Sequence, residues 1–160
     1  MKSAPLNQIK SELKHLDHHQ LFEICLKLSK SSTLSKEYLT YLLFYADDES
    51  GFVEDCKNEI NEQFETVHVT NVYLAKKSIR KALKLVLKFS KFSKSKETEI
   101  TLRIHFCIML KNVGIRLKAY PVLDNLYLKQ IEKIQSLVAT LHEDVQIDYE
   151  DQLMSLTKYH

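Results

Sequence analysis

The residues that are scarce in this chain limit its function before any motif is considered. Its 160 residues include two glycines, Gly51 and Gly114, and two prolines, Pro5 and Pro121. Phosphate-binding loops, dinucleotide-binding fingerprints and nucleophile elbows all depend on closely spaced glycines, so two widely separated glycines exclude them. The shortage of Gly and Pro also leaves few tight turns that could connect β-strands.

The residues that are abundant favour helices. Leu and Ile dominate the apolar set, and Lys and Glu are frequent among the polar residues. The composition therefore predicts an all-α protein of seven or eight helices, packed as antiparallel hairpins in a bundle or a short α-solenoid-like stack. No segment is long or polar enough to separate two domains, so we expect a single domain over residues 1–160.

The cysteines and the N-terminus indicate a reducing compartment. Cys25, Cys56 and Cys107 lie far apart, no CxxC pair is present, and their number is odd. A disulfide framework or a structural zinc site is therefore not expected, and each cysteine is predicted to be a buried free thiol on a helix. Residues 1–11 lack the apolar core of a signal peptide, and no apolar run is long enough to span a membrane. These features predict a cytoplasmic protein.

Apolar periodicity and capping residues place the helices along the chain. In the N-terminal half, the first predicted helix runs from Pro5 to about Leu16, the second from the N-cap Asp17 to a polar link at 29–35, the third through Tyr38 to Tyr45, and the fourth from the end of a loop at 47–51 to Glu65. In the C-terminal half, the fifth runs from about Thr70 to about Ser90, the sixth from the N-cap Ser95 to Val113, the seventh from Pro121 to about Glu143, and the eighth from about Asp148 to Thr157. The second helix is predicted to bury Leu21, Ile24, Cys25 and Leu28, and the fourth Phe52, Val53, Cys56, Ile60 and Phe64.

The charges of the chain are strongly segregated around its centre. Residues 66–96 contain nine Lys and Arg and no Asp or Glu, whereas residues 47–65 contain eight carboxylates and one lysine. On the fifth predicted helix the basic residues fall within a sector of about 140°, opposite an apolar face. We call them the cationic face: Lys76, Lys77, Arg80, Lys81, Lys84, Lys88 and Lys91.

Three interpretations of the cationic face remain open at this stage. The carboxylates of the neighbouring fourth helix can neutralise it within the fold, through surface ion pairs that are each worth about 0–1 kcal/mol. It can instead contact a run of nucleic-acid phosphates, with strongly salt-dependent affinity. The third interpretation is an acidic partner protein. Insertion into a membrane surface would need a free apolar face, which the core is expected to bury, so no membrane partner is predicted.

Other candidate residues have structural explanations as well as functional ones. Tyr38, Tyr41 and Tyr45 follow helical spacing and form a possible aromatic edge for stacking on bases, although such a stripe also serves as amphipathic packing. His105 lies in an apolar run two residues after Arg103, and it is predicted to be a core or groove histidine with a satisfied hydrogen bond.

The sequence predicts no metal site and no cofactor. Glu12, His15, His19 and Glu23 would share one face of an uninterrupted helix, which is a spacing suited to a metal ion. Asp17 is a predicted N-cap, however, and would interrupt that helix between the two pairs. We therefore expect a solvated polar face at this position.

One stretch of the chain resembles a known family. The second helix and the residues Lys36-Glu37-Tyr38, followed by Tyr41-Leu42-Leu43-Phe44, resemble a family of small helical bacterial cytoplasmic proteins, over about the first 90 residues. The resemblance implies an all-α fold and supplies no activity, cofactor or site residue.

The function predicted from the sequence is a non-catalytic protein-interaction or adaptor module. The alternative is a nucleic-acid-binding protein that uses the cationic face on phosphates. In both cases the binding residues are expected to be Lys77, Arg80, Lys81, Lys84, Lys88 and Lys91. No catalytic residue is predicted, and the sequence specifies neither the partner nor the oligomeric state.

Overall fold

The computed structural model describes residues 2–158 of the chain, and that part is all-α with no strand, as predicted. Its helices are α1 (Leu6–Lys14), α2 (His18–Ser31), α3 (Thr33–Phe44), α4 (Glu49–Glu65), α5 (Val72–Ser93), α6 (Lys96–Asn112), α7 (Pro121–Val138) and α8 (Glu143–Thr157), with a 3₁₀ turn at Leu117–Ala119.

Side-chain caps begin several helices where the sequence predicts them. The Asp17 carboxylate accepts from the backbone N–H of Gln20 at 2.8 Å, and the Gln20 side chain accepts from the N–H of Asp17 at 3.0 Å, which forms a complete capping box. Ser95 caps α6 by accepting from the N–H of Thr98 at 3.2 Å. The cap of α5 is Asn71, one residue beyond the predicted Thr70. The initiating polar residues therefore fix these starts to within one position.

Two predicted connections are wrong. The predicted polar link at 29–35 shrinks to the single residue Ser32, because α2 continues to Ser31 and α3 begins at Thr33. The hydroxyls of Ser29 and Ser31 bond back to carbonyls of the preceding turn, so serine is accommodated within the helix end.

The predicted seventh helix is also shorter than expected. It ends at Val138 rather than near Glu143, and α8 begins at Glu143 rather than near Asp148. His142 is the N-cap of α8, and Glu143 and Asp144 place negative charge in its first turn, where the helix dipole favours it. Leu141 continues the apolar period through the turn, so periodicity alone did not reveal the break.

The chain divides into two compact units, residues 1–44 and residues 45–160. The single domain expected over residues 1–160 stays a prediction. In the second unit α6 contacts α4, α5, α7 and α8, and it is the central helix of that unit. The fully buried side chains of the unit come from all five helices and include Ile60, Ile79, Phe106, Tyr127 and Leu156. Of the five residues predicted to face inward on α4, four are buried and Val53 is half-buried.

A half-buried carboxylate joins three helix ends in the second unit. Glu49, at the start of α4, accepts hydrogen bonds from the hydroxyls of Ser93 at the end of α5 and Thr98 at the start of α6. Lys94 between these two helices adopts a left-handed conformation with φ of 58°. Because a short connection and a shared acceptor hold both ends, the C-terminal end of α5 is fixed against α4 and α6.

The first unit has a much thinner interior. Its helices α2 and α3 pack against each other, yet Tyr41 is its one buried residue among 2–44. The prediction that α2 buries Cys25 and Leu28 is wrong, because both are exposed, while Leu21 and Ile24 are half-buried. Three short helices supply too little surface to enclose every apolar stripe, which is a general limit on units of about 40 residues.

The different environments of the three thiols lead to a testable prediction. Cys25 is exposed, whereas Cys56 and Cys107 are 2% and 0% exposed. Burial raises the pKa of both buried thiols, that of Cys107 to about 12, so neither offers a reactive thiolate at neutral pH. We expect one thiol per chain to react rapidly with Ellman's reagent in the native protein and three in denaturant. The Cys25→Ser variant should lose the rapid phase, and a rapid phase that survives in this variant would contradict the burial of the other two.

Candidate functional site

The orientation of α5 decides which of its residues are available for binding. Its apolar face is buried in the second unit and consists of Ala75, Ile79, Ala82, Val86, Phe89 and Phe92. This face packs against α4 and α6. Since an α-helix advances about 100° per residue, burying one sector turns the opposite sector toward solvent. The cationic face therefore lies where the sequence predicts it.

Most of the cationic face has no acidic partner within the fold. Lys77, Arg80, Lys81, Lys84 and Lys91 are exposed, and no carboxylate in the described part of the chain pairs with any of them. Lys76 is half-buried and likewise lacks an ion pair with residues 2–158.

Lys88 is the exception on the cationic face. Its Nζ lies 3.6 Å from Glu59 Oε1 on α4 and 4.6 Å from the centroid of the Phe89 ring. The Lys88 side chain is 18% exposed, so it borders the contact between α4 and α5.

Among residues 2–158 the carboxylates of α4 form a direct ion pair with Lys88 alone on the cationic face, although the two helices pack together, and neutralisation of the whole face by α4 stays a prediction. The side of α5 that meets α4 is apolar, so most of the cations lie out of reach. Four of the carboxylates in residues 47–65 have other partners: Asp48 caps α4 by accepting from the N–H of Gly51 at 3.0 Å, Glu54 pairs with Lys57 at 2.7 Å, Asp55 accepts from the Tyr45 hydroxyl at 2.6 Å, and Glu49 accepts from Ser93 and Thr98. The ion pair with Lys88 is partly exposed and contributes about 0–1 kcal/mol.

Tyr73 extends the cationic face and was missed in the sequence. A shallow groove of about 300 Å³ runs along α5, lined by Tyr73, Lys76, Lys77, Arg80, Lys81 and Lys84. The Tyr73 side chain is 78% exposed and forms no hydrogen bond or ring contact with residues 2–158. Tyr73 and Lys91 are 18 residues apart, which is about five full helical turns, so both lie on the same side of α5. Continuing the helical projection one turn toward the N-terminus would have placed Tyr73 on this face.

The three predicted tyrosines have different environments within their own units. The rings of Tyr38 and Tyr41 stack with centroids 6.4 Å apart at 6°, but Tyr41 is only 7% exposed. Tyr45 belongs to the second unit, where Asp55 accepts its hydroxyl hydrogen bond and thereby raises the pKa of Tyr45. An aromatic edge made of all three residues stays a prediction.

His105 has the structural role expected for it. The ring is half-buried on α6, and its Nε2 lies 2.7 Å from Asn61 Oδ1 on α4. Burial lowers the pKa of His105, and the positive charge of Lys57 lowers it further. The neutral ring is therefore favoured in the folded protein, and it joins α4 to α6 away from the cationic face.

The remaining candidates do not assemble into a site. Glu12 lies on α1 and His19 on α2, with His15 and Asp17 between the two helices. Across residues 2–158, no three His, Cys, Asp or Glu side chains are close enough to hold a metal ion together. Within the same residues, no helix combines the length and the apolar character needed to cross a membrane.

Comparison of the chain with protein families, with curated proteins and with solved structures finds no match. The resemblance over the first 90 residues therefore stays a prediction. The candidate site depends on the geometry of α5 alone, and the cationic groove with Tyr73 is its best-defined feature.

The environment of His105 predicts how stability depends on pH. Its pKa is lowered in the folded state, so the unfolded chain binds this proton more readily. The stabilisation is complete above the ordinary histidine pKa of about 6.5 and is lost as pH falls below it. In urea titrations, the free energy of unfolding should fall more steeply from pH 7.5 to pH 5 in the wild type than in His105→Gln. The two slopes should differ by at most about 1.4 kcal/mol per pH unit, which is the effect of one proton. Equal slopes would contradict a lowered pKa of His105 in the folded state.

Proposed function

We propose that this protein is a non-catalytic binding module that holds a polyanionic ligand on the cationic face of α5. The observation that supports this function is a set of exposed cations that form no ion pair with a carboxylate of residues 2–158: Lys77, Arg80, Lys81, Lys84 and Lys91. A ligand with regularly spaced negative charges meets several of them at once. Nucleic-acid phosphates and an acidic segment of a partner protein both have this property.

The repulsion between these cations supports the same proposal. Lys77 and Lys81, and likewise Arg80 and Lys84, are four residues apart and therefore neighbours on the helix surface. Like charges at this spacing destabilise a helix by a few tenths of a kcal/mol per pair. Burial of Ile79, which is 0% exposed, and of the rest of the apolar face keeps α5 folded in spite of this cost. A bound polyanion would remove the repulsion.

The composition of the groove favours binding over catalysis. Its lining consists of five cations and Tyr73, with no carboxylate or histidine to accept or donate a proton near neutral pH. His105, the half-buried histidine, is engaged with Asn61 between α4 and α6. A ligand in the groove would be held by charge rather than converted.

A pair of matched charge reversals tests this function. Arg80→Glu with Lys84→Glu reverses the centre of the groove, and Lys129→Glu with Lys133→Glu reverses two exposed lysines at the same four-residue spacing on α7. Both double variants change the net charge equally. On a heparin column the wild type and the α7 variant should elute at similar salt concentrations, whereas the α5 variant should elute far earlier or flow through.

The folded state of each variant is checked by circular dichroism and thermal unfolding. The two new carboxylates still repel each other, but each gains an oppositely charged neighbour four residues away, Lys76 or Lys88, so the midpoint of unfolding should stay the same or rise. Equal losses of heparin binding in the two double variants would assign the interaction to net charge and refute a site on α5. Failure of the wild type to bind at low salt would refute the function itself.

A further inference from the structure

We infer that the polyanion is single-stranded nucleic acid, and that Tyr73 is the platform on which one of its bases stacks. This inference rests on the proposed function and assigns a chemical class to the ligand. It begins with the position of Tyr73 in the same groove as Lys76, Lys77 and Arg80. A stacking ring beside a track of cations is the combination that binds single strands without sequence preference.

Tyr73 is strongly exposed to solvent. With 78% of its surface accessible and no hydrogen bond or ring contact within residues 2–158, the side chain contributes little to the fold. The other described tyrosines of the second unit, Tyr45, Tyr120, Tyr127 and Tyr149, are all half-buried or buried. A tyrosine ring buries a large area on a ligand while only two side-chain torsions are fixed. An exposed ring at the end of a cationic groove is therefore well suited to stacking.

Four groove residues are spaced as neighbours along one side of α5. Tyr73, Lys77, Arg80 and Lys84 follow one another at intervals of four, three and four residues, so they form a row along one side of α5. With a rise of about 1.5 Å per residue, successive members are about 4.5 to 6 Å apart along the helix axis. Because the cations of the row lie at different heights on one side of the helix, each can meet a different phosphate of a strand that runs along α5.

The chemistry of the row separates a single strand from a duplex. Cations bind the phosphates of a duplex as well as those of a single strand, so the discrimination depends on Tyr73. Four of its five cations are lysines, which act as point charges and can bind phosphates in many orientations. In a duplex the faces of the internal bases are stacked on each other and closed to Tyr73. A single strand offers both free base faces and phosphates to the same groove.

Fluorescence anisotropy with four labelled probes tests the inference. The probes are a 20-nucleotide oligo-dT, an oligo-U of equal length, a duplex of mixed sequence and a poly-glutamate peptide. The proteins are the wild type, Tyr73→Ala, Tyr73→Phe and the double variant Arg80→Gln with Lys84→Gln. Phe44→Ala, which removes a ring that is 73% exposed in the first unit, serves as a control for the loss of an exposed aromatic side chain.

The wild type should bind the single strands more tightly than the duplex or the peptide. If all five groove cations contact phosphates, the logarithm of affinity should fall with the logarithm of salt concentration at a slope of about 3.5, so affinity drops about 100-fold between about 50 and 200 mM. The double glutamine variant should lower that slope by about 1.4. Tyr73→Ala should weaken binding by about 5- to 150-fold at fixed salt without changing the slope. Tyr73→Phe and Phe44→Ala should bind like the wild type.

The outcomes that overturn this inference differ from those that overturn the proposed function. Binding of the duplex or the peptide as tightly as the single strands would refute the single-strand assignment and leave the cationic face as a polyanion site. Single-strand binding that is insensitive to Tyr73→Ala would refute the stacking role in the same way. Absence of binding to all four probes at low salt would refute the proposed function, and the inference with it.

Discussion

The burial of one face of α5 is the constraint on which the candidate site depends. Ala75, Ile79, Ala82 and Val86 are each 0% exposed, so the helix has no freedom to rotate about its axis without opening the core. Rotation by even one residue position, about 100°, would bring a lysine toward the apolar interior. An unpaired charge in such a place is far more costly than the repulsion that the cationic face experiences in water. The core therefore determines where the cations lie.

Both ends of α5 are held by side-chain hydrogen bonds to neighbouring parts of the second unit. Glu49 accepts from Ser93 and Thr98 at one end of the helix, and at the other end Ser78 Oγ lies 3.4 Å from the carbonyl of Thr66, in the connection from α4. The carboxylate of Glu49 thus joins the ends of three helices. A segment that is strongly acidic in sequence can lie next to a strongly basic one and leave it largely unpaired, because each helix turns its apolar side toward the other.

The sequence predicted those parts of the fold that depend on local, periodic signals. The direction of the cationic face followed from the 3.6-residue period of α5, and the starts of α2, α6 and α7 followed from Asp17, Ser95 and Pro121. The break after Val138 was missed because Leu141 keeps the apolar period through the turn. The exposure of Cys25 was missed because burial depends on how many helices surround it.

Only part of the candidate site could be predicted, because it too depends on how the helices pack. Sequence spacing shows which cations share a face, but it does not show which carboxylates reach them. That outcome depends on the angle at which α4 meets α5, and on competing partners such as Tyr45 for Asp55. Tyr73 was missed for a simpler reason, since it lies one turn before the first lysine and carries no charge to mark it.

A groove of this kind couples ligand binding to the stability of the helix that forms it. Without a ligand, the repulsion between neighbours such as Arg80 and Lys84 opposes the helical spacing that brings them together. A polyanion that binds the folded state alone adds stability in proportion to the logarithm of its concentration relative to its dissociation constant. The same core that fixes α5 prevents the cations from spreading apart, so the unliganded protein keeps the repulsion and the array is already in place for the ligand. A flexible basic segment would lower its repulsion by extending, and it would have to pay the entropy of ordering when it binds. The packing of α5 removes that cost, and it is the physical reason to expect a binding surface here rather than a basic tail.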